Sequence, residues 1–296
     1  MKYIRINKIK GAFISSLLDK HRAGLKNSPY IIIEGIRQIS ELIDFLIDNE
    51  IHAEYLMISD SYEEKLLNKR EDENYKKILS YLNFCGIDTT YVIGQAICKK
   101  LSPTIKEPTI FLILNKDLLE NRTGVNLENF LESLNIRNKN RDKRSIILYF
   151  EEIQDPGNLG TIIRSAKAFD ISAILLGPNS TSIYQEKVMR ASLSAVFALP
   201  IFENVSNTFI KAKKDYMTLI SMDMKGINLE DFLTDYAKRI SSNKVICLIF
   251  GNEGRGLSKE IKELSDYTVS IPMSGDMESL NVAISSAIAM YRFMDI

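Results

Sequence analysis

Short apolar runs recur through the second half of this chain, each followed by a stretch of helical periodicity, and that alternation leaves few folds open. "RSIILYFEEI", "SAILLG", "YMTLISMDM", "KVICLIFG" and "YTVSIPM" read as strands. "GTIIRSAKAFD", "YQEKVMRASLSAVFAL", a short acidic segment, "GLSKEIKELS" and "LNVAISSAIAMYRFM" read as the helices that follow them. Strands alternating with helices imply a parallel sheet covered on both faces. Ligands of such sheets sit in the crevice beyond the carboxyl ends of the strands. Three loops meet that condition: "QDPGNLG", "GNEGRG" and "PMSGDMES".

A second alternating module precedes this one. "YIIIEGIRQISELIDFLIDNEI" reads as a buried strand, a turn at Gly35 and an amphipathic helix with Ile39, Leu42, Ile43 and Leu46 on one face. "AEYLMIS", "DTTYVIG" and "PTIFLILN" supply further strands, with helical material ending at Gly86 and a short helix ending at Leu101. From Asn115 to Arg144 the chain is polar, with one short helix, "LENFLESL", inside it. The expected division is an N-terminal α/β domain at 1–114, a linker at 115–145 and a second α/β domain at 146–296. Two domains suit a chain of 296 residues, at roughly 100–200 residues each.

Composition narrows the chemistry. Only His21 and His52 are present, far apart, so acid–base work or metal ligation by histidine is not expected. Cys85, Cys98 and Cys247 are scattered and odd in number, which fits neither a disulfide framework nor a zinc site and points to a reducing cytoplasm. No apolar run approaches the roughly 18 residues of a membrane span, and the start of the chain lacks the pattern of a secretory signal. Net charge is zero, yet Lys2, Arg5, Lys8, Lys10, Lys20, Arg22 and Lys26 face one acid, Asp19, within residues 1–28. "RNKNRDKR", Arg137 to Arg144, is a second basic run. Clusters of this kind are either solvated faces or contacts to phosphate.

Each loop has a plain reading and a functional one. "FGNEGRGLS" lets backbone approach a ligand closely, but it has neither the lysine of a phosphate-binding loop nor the glycine order of a dinucleotide fingerprint. Glu253 within it would repel a pyrophosphate, which favours a neutral or cationic ligand. Asn158, ahead of a helix, could be an ordinary cap. Arg164, six residues on, is either a surface charge or a fork of donors for phosphate. Ser279, Leu280 and Asn281 stand at a helix entry, where exposed amides accept polar ligands. Ala283, Ser285, Ser286, Ala287 and Ala289 suit a close-packed helix, which leaves the preceding triplet unexplained.

Taken together, "DPGNLGTIIRSAKAF", "LIFGNEGRGLS" and "IPMSGDMESLNVAISSAI" resemble, in order and spacing, the three motifs of SpoU-type RNA ribose 2′-O-methyltransferases of the SPOUT superfamily. The likeness covers nearly all of residues 146–296. "IIIEGIRQISEL" and "LSPTIKEPTIFLIL" are similar, more weakly, to the small α/β substrate-binding domain often found ahead of it, although "KEPTIF" lacks the usual Gln-Gly.

The resemblance implies a deep trefoil knot formed by the last segment, S-adenosylmethionine held bent within it, a homodimer and an RNA substrate, either ribosomal or transfer RNA, with the two-domain build favouring ribosomal RNA. It assigns Gly251, Asn252, Gly254, Ile271, Met273 and Leu280 to the cofactor. Asn158, Arg164, Glu253, Ser279 and Asn281 fall near the reacting centre, with Glu253 expected to orient Arg164 or to hold the loop. Arg37 and Arg190 are expected RNA contacts. The family proposal makes the arginine at position 164 a general base. Guanidinium groups keep their proton in proteins, so a phosphate anchor and electrostatic stabiliser is the preferred role. Asp170 and Ser194 stand where glycines are common in the family. Two rival readings are a SPOUT-fold RNA binder without strong activity and a nicotinamide-dependent enzyme.

Overall fold

Short runs rich in apolar residues, bounded by polar turns, form two sheets. The computed structural model describes residues 2–6, 17, 28–63, 72–101, 109–117, 126–139, 144–193, 195–236, 240, 244–274 and 279–294. Most of the basic run at residues 7–27, the 140–143 segment and Gly275 to Glu278 of the third loop lie outside these. The chain divides into two compact units, Met1–Gly124 with Tyr184–Arg190, and Val125–Ile183 with Ala191–Ile296.

The first unit holds a mixed sheet in the order β1 (Lys2–Ile6), β4 (Thr89–Ile93), β3 (Ala53–Ser59), β5 (Ile110–Asn115), β2 (Tyr30–Glu34). β1, β4 and β3 run parallel, whereas β5 is antiparallel to both of its neighbours. The helix Ile36–Asp48 buries Ile39, Leu42, Ile43 and Leu46, the stripe expected from their spacing. Asp72 starts the helix Glu73–Phe84 by accepting from the N–H groups of Asn74 and Tyr75, which satisfies donors that a helix start leaves orphaned.

In the second unit six strands run parallel in the order β11 (Tyr267–Ser270), β9 (Met217–Asn228), β10 (Val245–Phe250), β6 (Ile146–Phe150), β7 (Ala173–Leu176), β8 (Ile201–Phe202). β6, β7 and β10 are buried along their whole length, as a sheet covered on both faces requires. One face packs Ile147, Tyr149, Leu175, Leu219, Cys247 and Ile249 against Leu131, Leu134, Ile210 and Ile261. The helix Val282–Phe293 packs against the helix Pro156–Ala168, which buries Leu159, Ile162, Ile163 and Ala166.

Three local features differ from the sequence reading. Tyr184 to Leu199, expected as one helix, is two, Glu186–Ser192 and Ala195–Ala198. Leu193 between them has φ 54°, which ends a right-handed helix. β9 continues well past Met224 to Asn228. The helix Leu127–Lys139, read as part of a polar connection, contributes Leu131 and Leu134 to the core of the second unit. Its Asn138 is buried, accepting from the N–H and hydroxyl of Ser145 and donating to the carbonyl of Lys244.

Candidate active site

β6 and β10 are neighbours in register, and Phe150 and Phe250, the last residue of each, are partners. Their rings stack with centroids 5.1 Å apart. The first two motif loops therefore leave the sheet side by side from a rigid floor. β10 is flanked on its other side by β9, which pairs with β11, the strand that feeds the third loop.

The first loop is fixed by Asp155, whose side chain caps the helix Pro156–Ala168 by accepting from the N–H of Asn158 at 2.8 Å. Asn158 is thus not the cap, and its amide is left to face the other loops. Asn281 does cap its helix: Oδ1 accepts from the N–H groups of Ala283 (2.8 Å) and Ile284 (3.4 Å). Its Nδ2 reaches across 123 residues of sequence to donate to Asn158 Oδ1 at 3.0 Å. Asn158 Nδ2 in turn donates to Glu253 at 3.4 Å. Three loops distant along the chain are joined through Asn281, Asn158 and Glu253.

The second loop is a closed turn. The N–H of Asn252 donates to the carbonyl of Gly256 and the N–H of Gly256 donates back to that of Asn252, at 3.0 and 2.9 Å. Asn252 Oδ1 accepts from the N–H groups of Gly254 and Arg255. Gly251 is pressed against this turn: a Cβ there would lie 2.2 Å from the carbonyl carbon of Gly256 and 2.3 Å from the nitrogen of Leu257. Only glycine fits without opening the loop. The carboxylate of Glu253, at the exposed tip, accepts from the N–H groups of Gln154 (3.5 Å) and Asp155 (3.4 Å) as well as from Asn158. Its contacts are thus to the first loop, and none with Arg164 is seen among the described residues.

Arg164 is exposed and makes no ion pair or hydrogen bond with any described residue. It lies about 9 Å along the helix axis from Asn158, at roughly 1.5 Å per residue. Side chains lean towards a helix N-terminus, which in this helix is the end that carries the first loop. Ile271 and Met273 are half-buried, while Ser279 and Leu280 are exposed. Of the two expected RNA contacts, both in the first unit, Arg37 pairs with Glu41 at 2.8 Å and stays largely exposed. Arg190 is held by Glu186 at 2.7 Å and Glu34 at 3.6 Å. Among the described residues no cluster of His, Cys, Asp or Glu could hold a metal, all three cysteines are free, and no helix is long and apolar enough to cross a membrane.

Side chains given no role from sequence also enter the site. Glu151 Oε2 accepts from the N–H of Ser258 and Oε1 from Asn207 Nδ2, both at 2.8 Å. Glu152 binds Gln154 and Arg255. The doublet of acids that ends the β6 segment was the available signal.

Residues 145–291 match the family described as the SpoU rRNA Methylase family. A protein of Borreliella burgdorferi called an uncharacterized tRNA/rRNA methyltransferase is 33% identical over 168 residues, covering 56% of this chain and 68% of that one. The 23S rRNA (guanosine(2553)-2'-O)-methyltransferase RlmP of Bacillus subtilis is 30% identical over 146 residues, covering 49% of this chain and 56% of that protein. Several other relatives, among them proteins of Staphylococcus and Archaeoglobus, are matched over 60–64% of their length. Among solved structures, an AdoMet-bound rRNA methyltransferase from Sinorhizobium meliloti aligns with TM-score 0.70 and 16% identity over 98% of this chain and 97% of that one. The SpoU methyltransferase AviRb from Streptomyces viridochromogenes aligns with TM-score 0.66 and 20% identity over 96% of each. These last two likenesses establish the fold.

Proposed function

Because this chain belongs to the SpoU/TrmH family of RNA methyltransferases, we propose that it transfers a methyl group from S-adenosylmethionine to a ribose 2′-hydroxyl of RNA, with ribosomal RNA as the substrate. The observation that carries this reading is the Asn281–Asn158–Glu253 chain, which draws all three motif loops to one place. The relative named as a 23S rRNA methyltransferase supports ribosomal over transfer RNA.

The residues present fit the cofactor. Gly251 keeps the second loop tight, so its backbone can lie along a ligand, and Ile271, Met273 and Leu280 offer apolar surface beside it. The Glu253 carboxylate opposes a pyrophosphate and tolerates a sulfonium. S-adenosylmethionine, when bound, supplies an electrophilic methyl carbon for in-line displacement by the ribose oxygen. The knot typical of the family belongs to the same reading.

This chain's own contribution is alignment and charge. Arg164, exposed and without a described partner, grips an RNA phosphate through its planar fork and stabilises the developing alkoxide. Because a guanidinium keeps its proton, the proton leaves the hydroxyl for phosphate or water. Asn158 and Asn281 fix the loops around the reacting oxygen, and positioning of this kind contributes on the order of 7–11 kcal/mol in well-oriented systems. Ile284 and Tyr291 are exposed one above the other, with half-buried Ala287 and Ile288 between them. That apolar face supports a homodimer through the second unit.

The test is transfer of labelled methyl groups into RNA from a strain lacking the gene, followed by mapping of ribose methylation. Cofactor binding without product on any RNA leaves a binding protein and overturns the reading. Within an active enzyme, Arg164→Lys and Arg164→Ala single-turnover rates against pH test the anchor. Activity restored by lysine with a new pH dependence of its own would make position 164 a base.

A further inference from the structure

The contacts between the first and second loops are of unequal strength. Glu253 meets the first loop through three contacts of 3.4–3.5 Å, longer than the usual N–H···O bond. Arg255 makes a short charge-assisted contact in the other direction, from the tip of the second loop to Glu152 at the end of β6. Such bonds are roughly twice as strong as neutral ones.

The pair is anchored at both ends. The N–H of Arg255 is held by Asn252 Oδ1 at 3.1 Å, inside the closed turn. The side chain of Glu152 is only 15% exposed, and its other oxygen accepts from Gln154 Nε2 at 2.7 Å. Gln154 is also the residue whose N–H approaches Glu253. One guanidinium therefore ties the turn that follows β10 to the loop that leads into Asn158 and Arg164.

We propose that Arg255 and Glu152 are positioning residues, a latch that sets the spacing between the cofactor loop and the RNA-facing loop. Neither is assigned to touch the reacting atoms. The inference rests on the function proposed above, because it assigns one loop to each ligand. An ion pair with one partner 74% exposed adds little to overall stability. A purely structural role therefore predicts almost no change on breaking it. A positioning role predicts a loss in turnover out of proportion to stability, since a misplacement of about 1 Å at a reacting centre can cost a hundredfold in rate.

The experiment compares Glu152→Gln, Arg255→Met and the charge exchange Glu152→Arg/Arg255→Glu in the full chain. Thermal unfolding, binding of S-adenosylhomocysteine, and methylation of RNA from a strain lacking the gene are measured for each. Expected for each single variant is a fall in kcat of about tenfold or more, with S-adenosylhomocysteine affinity and melting temperature close to the parent. The exchanged pair regains most of the lost rate. If the parent methylates no RNA, the functional reading fails and takes the latch with it. Where the parent is active, single variants with parental kcat overturn the latch alone. So does a loss of kcat that tracks loss of folded protein, or an exchanged pair no better than the worse single variant.

Discussion

Replacing Gly251 with alanine is the sharpest perturbation the structure offers, because the obstacle is backbone and cannot swing away. The added Cβ would stand 2.2 Å from the carbonyl carbon of Gly256, 2.3 Å from the nitrogen of Leu257 and 2.5 Å from the Gly256 oxygen. To reach ordinary contact the turn must retreat by roughly 1 Å. That motion opposes the two backbone bonds between Asn252 and Gly256, each contributing about 0.5–1.5 kcal/mol. Absorbing the methyl without breaking them costs about 1–3 kcal/mol in overpacking. Both routes give a loss near 2 kcal/mol, or about 4–8 °C in melting temperature for a unit of this size. Gly254 is the control, since a Cβ there meets nothing closer than Asn252 Oδ1 at 3.6 Å. Gly254→Ala should change stability by less than about 0.5 kcal/mol. Thermal unfolding followed by near-ultraviolet circular dichroism, with calorimetric titration of S-adenosylhomocysteine, separates fold from pocket. Gly251→Ala is expected to lose both stability and affinity. A Gly251→Ala protein that melts and binds like its parent refutes the view that this turn is closed by a close backbone approach.

Three further outcomes are expected. Asn281→Ala removes a helix cap and should cost about 1 kcal/mol in thermal unfolding. Asn281→Ser keeps a capping oxygen but cannot span to Asn158, so it should regain that stability while methyl transfer stays low. Burial alone would raise the Asp223 carboxyl, but bonds from Lys262 Nζ and the N–H of Lys225 outweigh it and hold the group below the usual carboxylate range. Its stabilisation is therefore complete above the unfolded pKa, about 3.9, and is lost as pH falls through the lower folded value. Asp223→Asn should flatten the acid limb of a stability–pH curve and leave its dependence above about pH 5 unchanged. Ile284→Glu with Tyr291→Glu, on the exposed face of the last helix, should shift sedimentation from dimer to monomer while the monomer keeps its circular dichroism; a parent that sediments as a monomer removes this interface.

The strands were legible because period and apolar content speak locally. β3 and β10 fall on "AEYLMIS" and "VICLIF", within the runs that sequence alone marks. Local pattern was less informative wherever one residue or one distant partner decides. Leu193 at φ 54° divides what reads as a single helix, and nothing in its side chain announces that turn. "LENFLESL" is polar enough to pass for a connection, yet Leu131 and Leu134 suffice to seat it. Asn138 adds bonds to Ser145 and to Lys244, the latter 106 residues away.

The candidate site shows the same division at larger separation. Motif order brings Asn158, Glu253 and Asn281 to attention, but their hydrogen bonds span 95 and 123 residues. What makes those spans short is the pairing of β6 with β10 and of β10 with β9, which aligns the strand ends before any loop residue acts. Once that register is set, the chemistry of each side chain is constrained by its neighbours. Asp155 takes the cap, so Asn158 is released to bridge. Glu253 turns to the first loop, and Arg164 makes no bond with any described residue. Arg255, the cation nearest the motif glycines in sequence, closes on Glu152 instead. A guanidinium already committed to a carboxylate is a poor first contact for phosphate, because taking one would break its charge-assisted bond to Glu152. On the function proposed, the two arginines thus divide the work: Arg164 is left for RNA, and Arg255 holds the loops at the distance the transfer needs.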